Sequence, residues 1–208
     1  MKKQLCYVLA SVVLFALLVV SPAHAEGMKY TVKSGDTMWK IAVRYEVGLS
    51  EIIAQNPQVA NPAMIYPGQT LNIPDLQSVK NLENEVIRLT NIERAKNGLQ
   101  PLMTNWELSR VARYKSQDMV DNNYFSHTSP VYGSPFKMMK DFGLSYTAAG
   151  ENIAMGQRSP QEVVNAWMNS SGHRRNILNS SYNQIGVGLA TNSQGRLYWT
   201  QHFIKSNW

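Results

Sequence analysis

The sequence predicts an α+β protein assembled from two modules. Two observations carry that expectation. Residues 28–74 contain a short β-rich run, two helix-spaced apolar stretches and a second β-rich run, a strand–helix–helix–strand order in a short span. Residues 84–208 open on helical apolar spacing and close on two β-rich runs joined by a hairpin signal at Asn192-Ser193-Gln194-Gly195. A chain of 208 residues, 44% apolar and 16% charged, is long enough for both modules. That composition excludes a disordered or collagen-like chain.

Residues 1–25 read as an export signal. Lys2 and Lys3 precede an apolar run from Leu5 to Val20, and Ala23-His24-Ala25 has the small-x-small form of a cleavage site, placed after Ala25. The run is shorter than the ~20 residues that span a bilayer, so no stable membrane anchor is expected after cleavage. Cys6, the single cysteine, leaves with this segment. Disulfides, cysteine zinc sites and a cysteine nucleophile are thereby excluded from the remainder. Lys2 and Lys3 leave too, and the formal charge falls from +6 to +4. That surplus is too small to argue for nucleic acid, which is not expected as a partner, and it suits anionic wall polymers.

In the first module Tyr30-Thr31-Val32 reads as a strand. Ser34-Gly35-Asp36-Thr37 reads as a turn whose Asp36 or Thr37 caps a helix. Trp39, Ile41, Ala42 and Tyr45 give that helix an apolar face, and Leu49, Ile52 and Ile53 a second one ended at Asn56-Pro57. Tyr66-Pro67-Gly68-Gln69 turns into a strand at Thr70–Ile73. These stretches together resemble a LysM domain. The resemblance implies a βααβ fold binding an N-acetylglucosamine glycan, peptidoglycan in a bacterial wall, in a groove formed by Gly35, Asp36, Thr37, Asn56 and Pro57.

Residues 75–83 read as a short polar connector. Beyond it, Leu82, Val86 and Leu89 mark a helix stopped at Asn97-Gly98. Leu108, Val111, Ala112 and Met119 mark a second from about Trp106, and Phe136, Met138, Met139 and Phe142 a third ended by Gly143. Ser159-Pro160-Gln161-Glu162 is a helix start with Ser as N-cap, Pro at the first position and Glu as the capping-box acid. Two strands, Ile185–Leu189 and Arg196–Ile204, finish the chain.

Three polar clusters lie in this second module: Phe125-Ser126-His127, Gly150-Glu151-Asn152-Ile153 after a turn, and Ser171-Gly172-His173-Arg174 after a helix. A carboxylate with two histidines suits a divalent metal or acid–base chemistry. No spacing among them is diagnostic, and neither H-E-x-x-H nor G-x-S-x-G occurs. With Asn91-x-x-Arg94, Ala166-Trp167-Met168, Ile185-Gly186-Val187-Gly188 and Tyr198-Trp199-Thr200-Gln201 they resemble, in order, the CAP (SCP-like) family in its bacterial YkwD-type branch. The resemblance implies an α-β-α sandwich over residues 84–208 with a cleft in which His127, Glu151 and His173 are the catalytic or binding groups. It further implies that His127 and His173 can hold a divalent metal such as zinc, the only cofactor expected. The family's second carboxylate would fall at position 170, which is Ser170, so a two-carboxylate hydrolysis is disfavoured. His202 lies in a strand whose alternation does not say which way it points, and it is left outside the site.

The resulting expectation is an exported protein of the cell wall or spore envelope. It binds peptidoglycan through the LysM module, and its CAP domain binds or regulates an undefined partner. The alternatives are a metal-dependent hydrolase of peptidoglycan or protein, and a lipid carrier.

Overall fold

The computed structural model describes residues 27–206. The expected export signal lies outside them. Among the described residues no helix is long and apolar enough to cross a membrane.

Strand β1 (Met28–Thr31) pairs antiparallel with β2 (Thr70–Ile73), with Tyr30 opposite Leu71. Helices α1 (Met38–Tyr45) and α2 (Leu49–Ala54) lie between them in sequence. Gly35 takes φ +80° in the turn, and Thr37 is the N-cap, its Oγ1 accepting from Lys40 N at 3.1 Å. Met38, Ile41, Ala42, Ile52, Leu71 and Ile73 close the small core. Trp39 is not part of it and stands 51% exposed, because the buried stripe of α1 follows 38, 41 and 42 and leaves position 39 off that face.

The connector is not an irregular segment. Asp75 Oδ1 accepts from Gln77 N at 2.9 Å, and from Gln77 the chain is one continuous helix, α3 (Gln77–Lys96). Val79 already packs against the larger domain's core, which is why the helical period starts inside the polar stretch. Lys80 reaches back to the first module, donating to Tyr45 O at 2.8 Å and pairing with Glu46 at 3.1 Å. Tyr114 of the larger domain meets Ser50 Oγ at 3.3 Å. Leu82, expected inside, is exposed, and Val86, Ile87, Leu89 and Thr90 take the inward face.

The larger domain continues with β3 (Met103–Thr104), α4 (Trp106–Asp121), α5 (Pro135–Asp141), β4 (Ala148–Met155), α6 (Pro160–Met168), α7 (Ser171–Ile177), β5 (Gln184–Thr191) and β6 (Leu197–Lys205). The four strands lie in the order β3-β5-β6-β4, parallel between β3 and β5 and antiparallel elsewhere. Alternation sorts the two faces. Ile185, Val187, Leu189, Trp199 and Phe203 pack with residues of α3, α6 and α7. Ile204 packs with Leu108 and Val111 of α4. The result is helix, sheet, helix. Gly186 and Gly188 allow α4 to lie directly on β5: a Cβ at Gly188 would sit 2.1 Å from Ala112 C and Arg113 N.

Two buried ionisable side chains brace this frame. Arg94 donates to the carbonyls of Gln100, Ile177 and Asn179, tying α3 to the end of α7. Glu83 faces Arg113, 3.3 Å away, and accepts from Leu189 N. Burial raises the Glu83 carboxyl to about 7, against the lowering effect of Arg113. The folded chain thus keeps a proton that the unfolded chain releases near 4.5. The stability from this group is full below the unfolded value and is lost as pH rises toward 7. We expect a loss of about 3 kcal/mol between pH 4.5 and 7. In Glu83→Gln, denaturation measured across that range should lack this component, and an unchanged slope would refute the assignment.

Candidate functional site

The chemistry gathers at β4, an edge strand of the sheet. The register sets Glu151 directly opposite His202 of β6 and Asn152 opposite Gln201. Glu151 is 2% exposed in its side chain and accepts from two rings: His127 Nδ1 at 2.7 Å and His202 Nε2 at 2.8 Å. His202 is fully buried, whereas the His127 side chain is 54% exposed.

Each partner is held from a different element. His127 sits in the loop after α4. The buried Lys115 of α4 fixes that loop by donating to Ser126 O and Tyr124 OH, each at 2.8 Å, and Asp118 accepts from the Tyr124 hydroxyl. Asn152 donates to His173 O at 3.1 Å and to Gln201 Oε1 at 3.0 Å. Asn176 donates to Glu151 O and Asn152 Oδ1, binding α7 to β4. Gly150 leaves room for this arrangement, since a Cβ there would meet the Tyr182 hydroxyl at 2.5 Å. The four residues Gly150 to Ile153 therefore supply, in turn, space, the carboxylate, a bridge to α7 and a core side chain.

Burial pushes the Glu151 carboxyl up, but the hydrogen bonds from His127 and His202 and the charge of Lys115 outweigh it, so the group lies below the ordinary carboxylate value. An ionised Glu151 accepts on both oxygens. His202 Nδ1 is buried with no hydrogen-bond partner. The partners assign His202 the tautomer with its proton on Nε2, since a proton on Nδ1 would be a buried donor without an acceptor. His127 is assigned the Nδ1–H tautomer by the same carboxylate, which turns the lone pair of its Nε2 away from Glu151. His173, on α7, is held below the usual histidine value by burial and by the neighbouring His127.

Of the residues expected in the cleft, His127 and Glu151 are in direct contact, and His173 is within electrostatic reach of His127. His173 follows α6, inside the next helix α7, and Glu151 lies inside strand β4. His202 was missed. Both faces of β6 are covered by helices, so its burial runs unbroken and alternation carries no sign of direction. Ser170 is the N-cap of α7 and brings no carboxylate. Among the described residues no group of three or more His, Cys, Asp or Glu side chains is gathered so as to hold a metal ion. Both Glu151 oxygens are taken by ring contacts, so the carboxylate orients His127 through Nδ1 and leaves that ring's Nε2 facing away from it.

In the first module Asn56 is 1% exposed. Its amide donates to Ile52 O and Asn72 O, and its carbonyl accepts from Asn72 N and Gln58. Every hydrogen-bonding position of the side chain is thus used within the module, which gives Asn56 a framework role. Asp36 is likewise closed in: the Tyr30 hydroxyl, Lys33 N and Arg44 all donate to it, holding its carboxyl at about 2. Gly35, Thr37 and Pro57 lie at the surface. A concavity of about 400 Å³ opens instead along the α2–β2 loop, lined by Val59, Asn61, Met64, Tyr66 and Gln69.

An α-β-α sandwich with histidines placed at an edge strand, preceded by a βααβ module, defines a LysM–CAP protein. The chain belongs to the cysteine-rich secretory protein (CAP) family, whose model matches residues 87–203, and a LysM domain matches residues 30–74. YkwD of Bacillus subtilis (strain 168) is 59% identical over 127 residues, 61% of this chain and 48% of YkwD. The probable peptidoglycan endopeptidase LytE of the same organism is 38% identical over 73 residues, 35% of this chain and 21% of LytE. The crystal structure of an extracellular SCP-domain protein from Bacillus anthracis superposes with a TM-score of 0.59 at 35% identity, covering 62% of this chain and 42% of that one. The chain thus spans less than half the length of each of these relatives.

Proposed function

We propose that this is an exported protein of the cell wall or spore envelope that holds peptidoglycan through its LysM domain and presents an oriented histidine pair in its CAP domain to a second partner. The observation that carries the reading is the open concavity beside Met64 and Tyr66, in a module whose LysM match spans residues 30–74. Val59 and Met64 offer an apolar floor for an acetyl methyl, and Gln69 and Asn61 offer polar groups for its amide. Tyr66, 60% exposed, offers an aromatic face for a sugar ring.

The experiment is sedimentation of residues 26–208 with insoluble peptidoglycan at low and high salt. Retention at both salts is expected, because the proposed contacts are not ionic. Tyr66→Ala should weaken it about tenfold. Failure of the wild-type protein to pellet at either salt would sink the reading.

The Glu151–His127 contact favours a second reading, a metal-dependent hydrolase. A divalent ion such as zinc, held by His127 Nε2 and His173, would supply Lewis-acid chemistry there. The same wall suspension distinguishes the two readings: zinc-dependent loss of turbidity supports hydrolysis, and binding without clearing supports a binding domain.

A further inference from the structure

At the seam of the two domains a cavity of about 300 Å³ opens between the C-cap of α1 and helices α3 and α4. Glu46, Lys80, Glu83, Trp106, Ser109 and Arg113 stand in its walls. Most of these polar groups are already supplied. Lys80 is held by Tyr45 O and Glu46, Glu83 accepts from Leu189 N, and Ser109 Oγ accepts from Val187 N. Arg113 is the exception. Its side chain is 8% exposed, and Nε and Nη1 are buried without a hydrogen-bond partner, although Nε lies 3.3 Å from Glu83 Oε1. A buried guanidinium with unmet donors is costly to keep unless something satisfies it.

We propose that this seam cavity is a binding site for a ligand carrying a free carboxylate, which pairs with the guanidinium of Arg113. A planar monoanion matches the planar donors of arginine. The acids in the wall, Glu46 and Glu83, weigh against a dianion such as phosphate. The volume suits the end of a short peptide rather than a polymer chain, and Trp106 supplies an aromatic wall for the ligand's apolar part. Because the walls come from both domains, an occupant would bridge them. This site is separate from the LysM concavity and from the histidine cleft, and neither of those readings is needed for it.

The test is calorimetric titration of residues 26–208 with N-acetyl-D-alanyl-D-alanine and with its C-terminal amide. Saturable binding of the acid is expected, with the amide and the Arg113→Gln variant each about tenfold weaker, the loss of one charge-assisted pair. Above pH 7, where Glu83 is ionised, Glu83→Gln should bind the acid more tightly, because it removes the carboxylate that competes for Arg113. That result is not what a purely structural role for Glu83 would give, and it decides the matter if Arg113→Gln fails to fold. No saturable binding of the acid, equal binding of the amide, or unchanged affinity in Glu83→Gln would overturn the proposal. Tighter binding of inorganic phosphate than of the acid would overturn the carboxylate assignment.

Discussion

Gly188→Ala is expected to cost the larger domain about 3 kcal/mol or more, read as a lowered denaturation midpoint with little change in slope. The added Cβ would lie 2.1 Å from backbone atoms of Ala112 and Arg113. Backbone in the middle of a helix cannot step aside as a side chain can, so α4 as a whole must lift. Lifting breaks the hydrogen bonds that join Ser116 Oγ to Gly188 O and to the Thr200 hydroxyl and loosens Leu108 and Val111 in the core. It also carries Lys115 away from Ser126 O, loosening the loop that bears His127. Gly172→Ala is the control. Gly172 lies in helix α7 with nothing within 4 Å of an added Cβ, so alanine there should be neutral or stabilising by up to about 1 kcal/mol. Equal destabilisation by the two substitutions would refute the close-approach account.

Glu151→Gln should disable the histidine arrangement even where the domain still folds. The carboxylate accepts from two rings, whereas an amide has one acceptor and one donor. One of the two contacts would become donor against donor unless a ring changes tautomer. Because His202 is enclosed, the exposed His127 should change, moving its proton to Nε2 and removing the lone pair directed away from Glu151. Histidine nitrogen shifts measured by NMR should report that exchange at His127 with His202 retained. On the proposed metal-binding reading, zinc affinity, measured by competition with a chelating dye, should fall about 10–100-fold, the usual cost of removing the group that orients a ligand histidine. An unaltered His127 tautomer in the variant would show that Glu151 does not set it.

Much of this architecture was legible in the sequence where local chemistry decides it. Thr37 and Ser159 cap their helices as their positions require, with Glu162 accepting from Arg158 N beside Ser159. The CAP stretches that carry Glu151 and His173 fall on β4 and α7. What escaped depends on contacts distant in sequence. Strand β4 is mostly small or polar and carries no alternation, since it is made by pairing with β6. Asp36 and Asn56 sit where a glycan groove was expected, yet their partners, Arg44 and Asn72, come from α1 and β2 and draw them inward. Phe136, read as core, is exposed because Pro135, Met138 and Met139 take the buried face of α5. His202 becomes part of the site only through the register of two strands, which brings together residues 51 apart in sequence.

Helix α3 makes the protein a ruler. A flexible tether would let the CAP domain sweep a volume around its anchoring point. Helix α3 begins at Gln77, packs into the CAP core from Val79 onward, and has Lys80 latched to the end of α1, which fixes one distance and one heading instead. Wherever the LysM domain settles, the histidine cleft stands at a set offset from that point. On the proposed wall-binding reading, a partner of the CAP domain would be reached according to where it lies along the lattice, and its local concentration would matter less than its spacing.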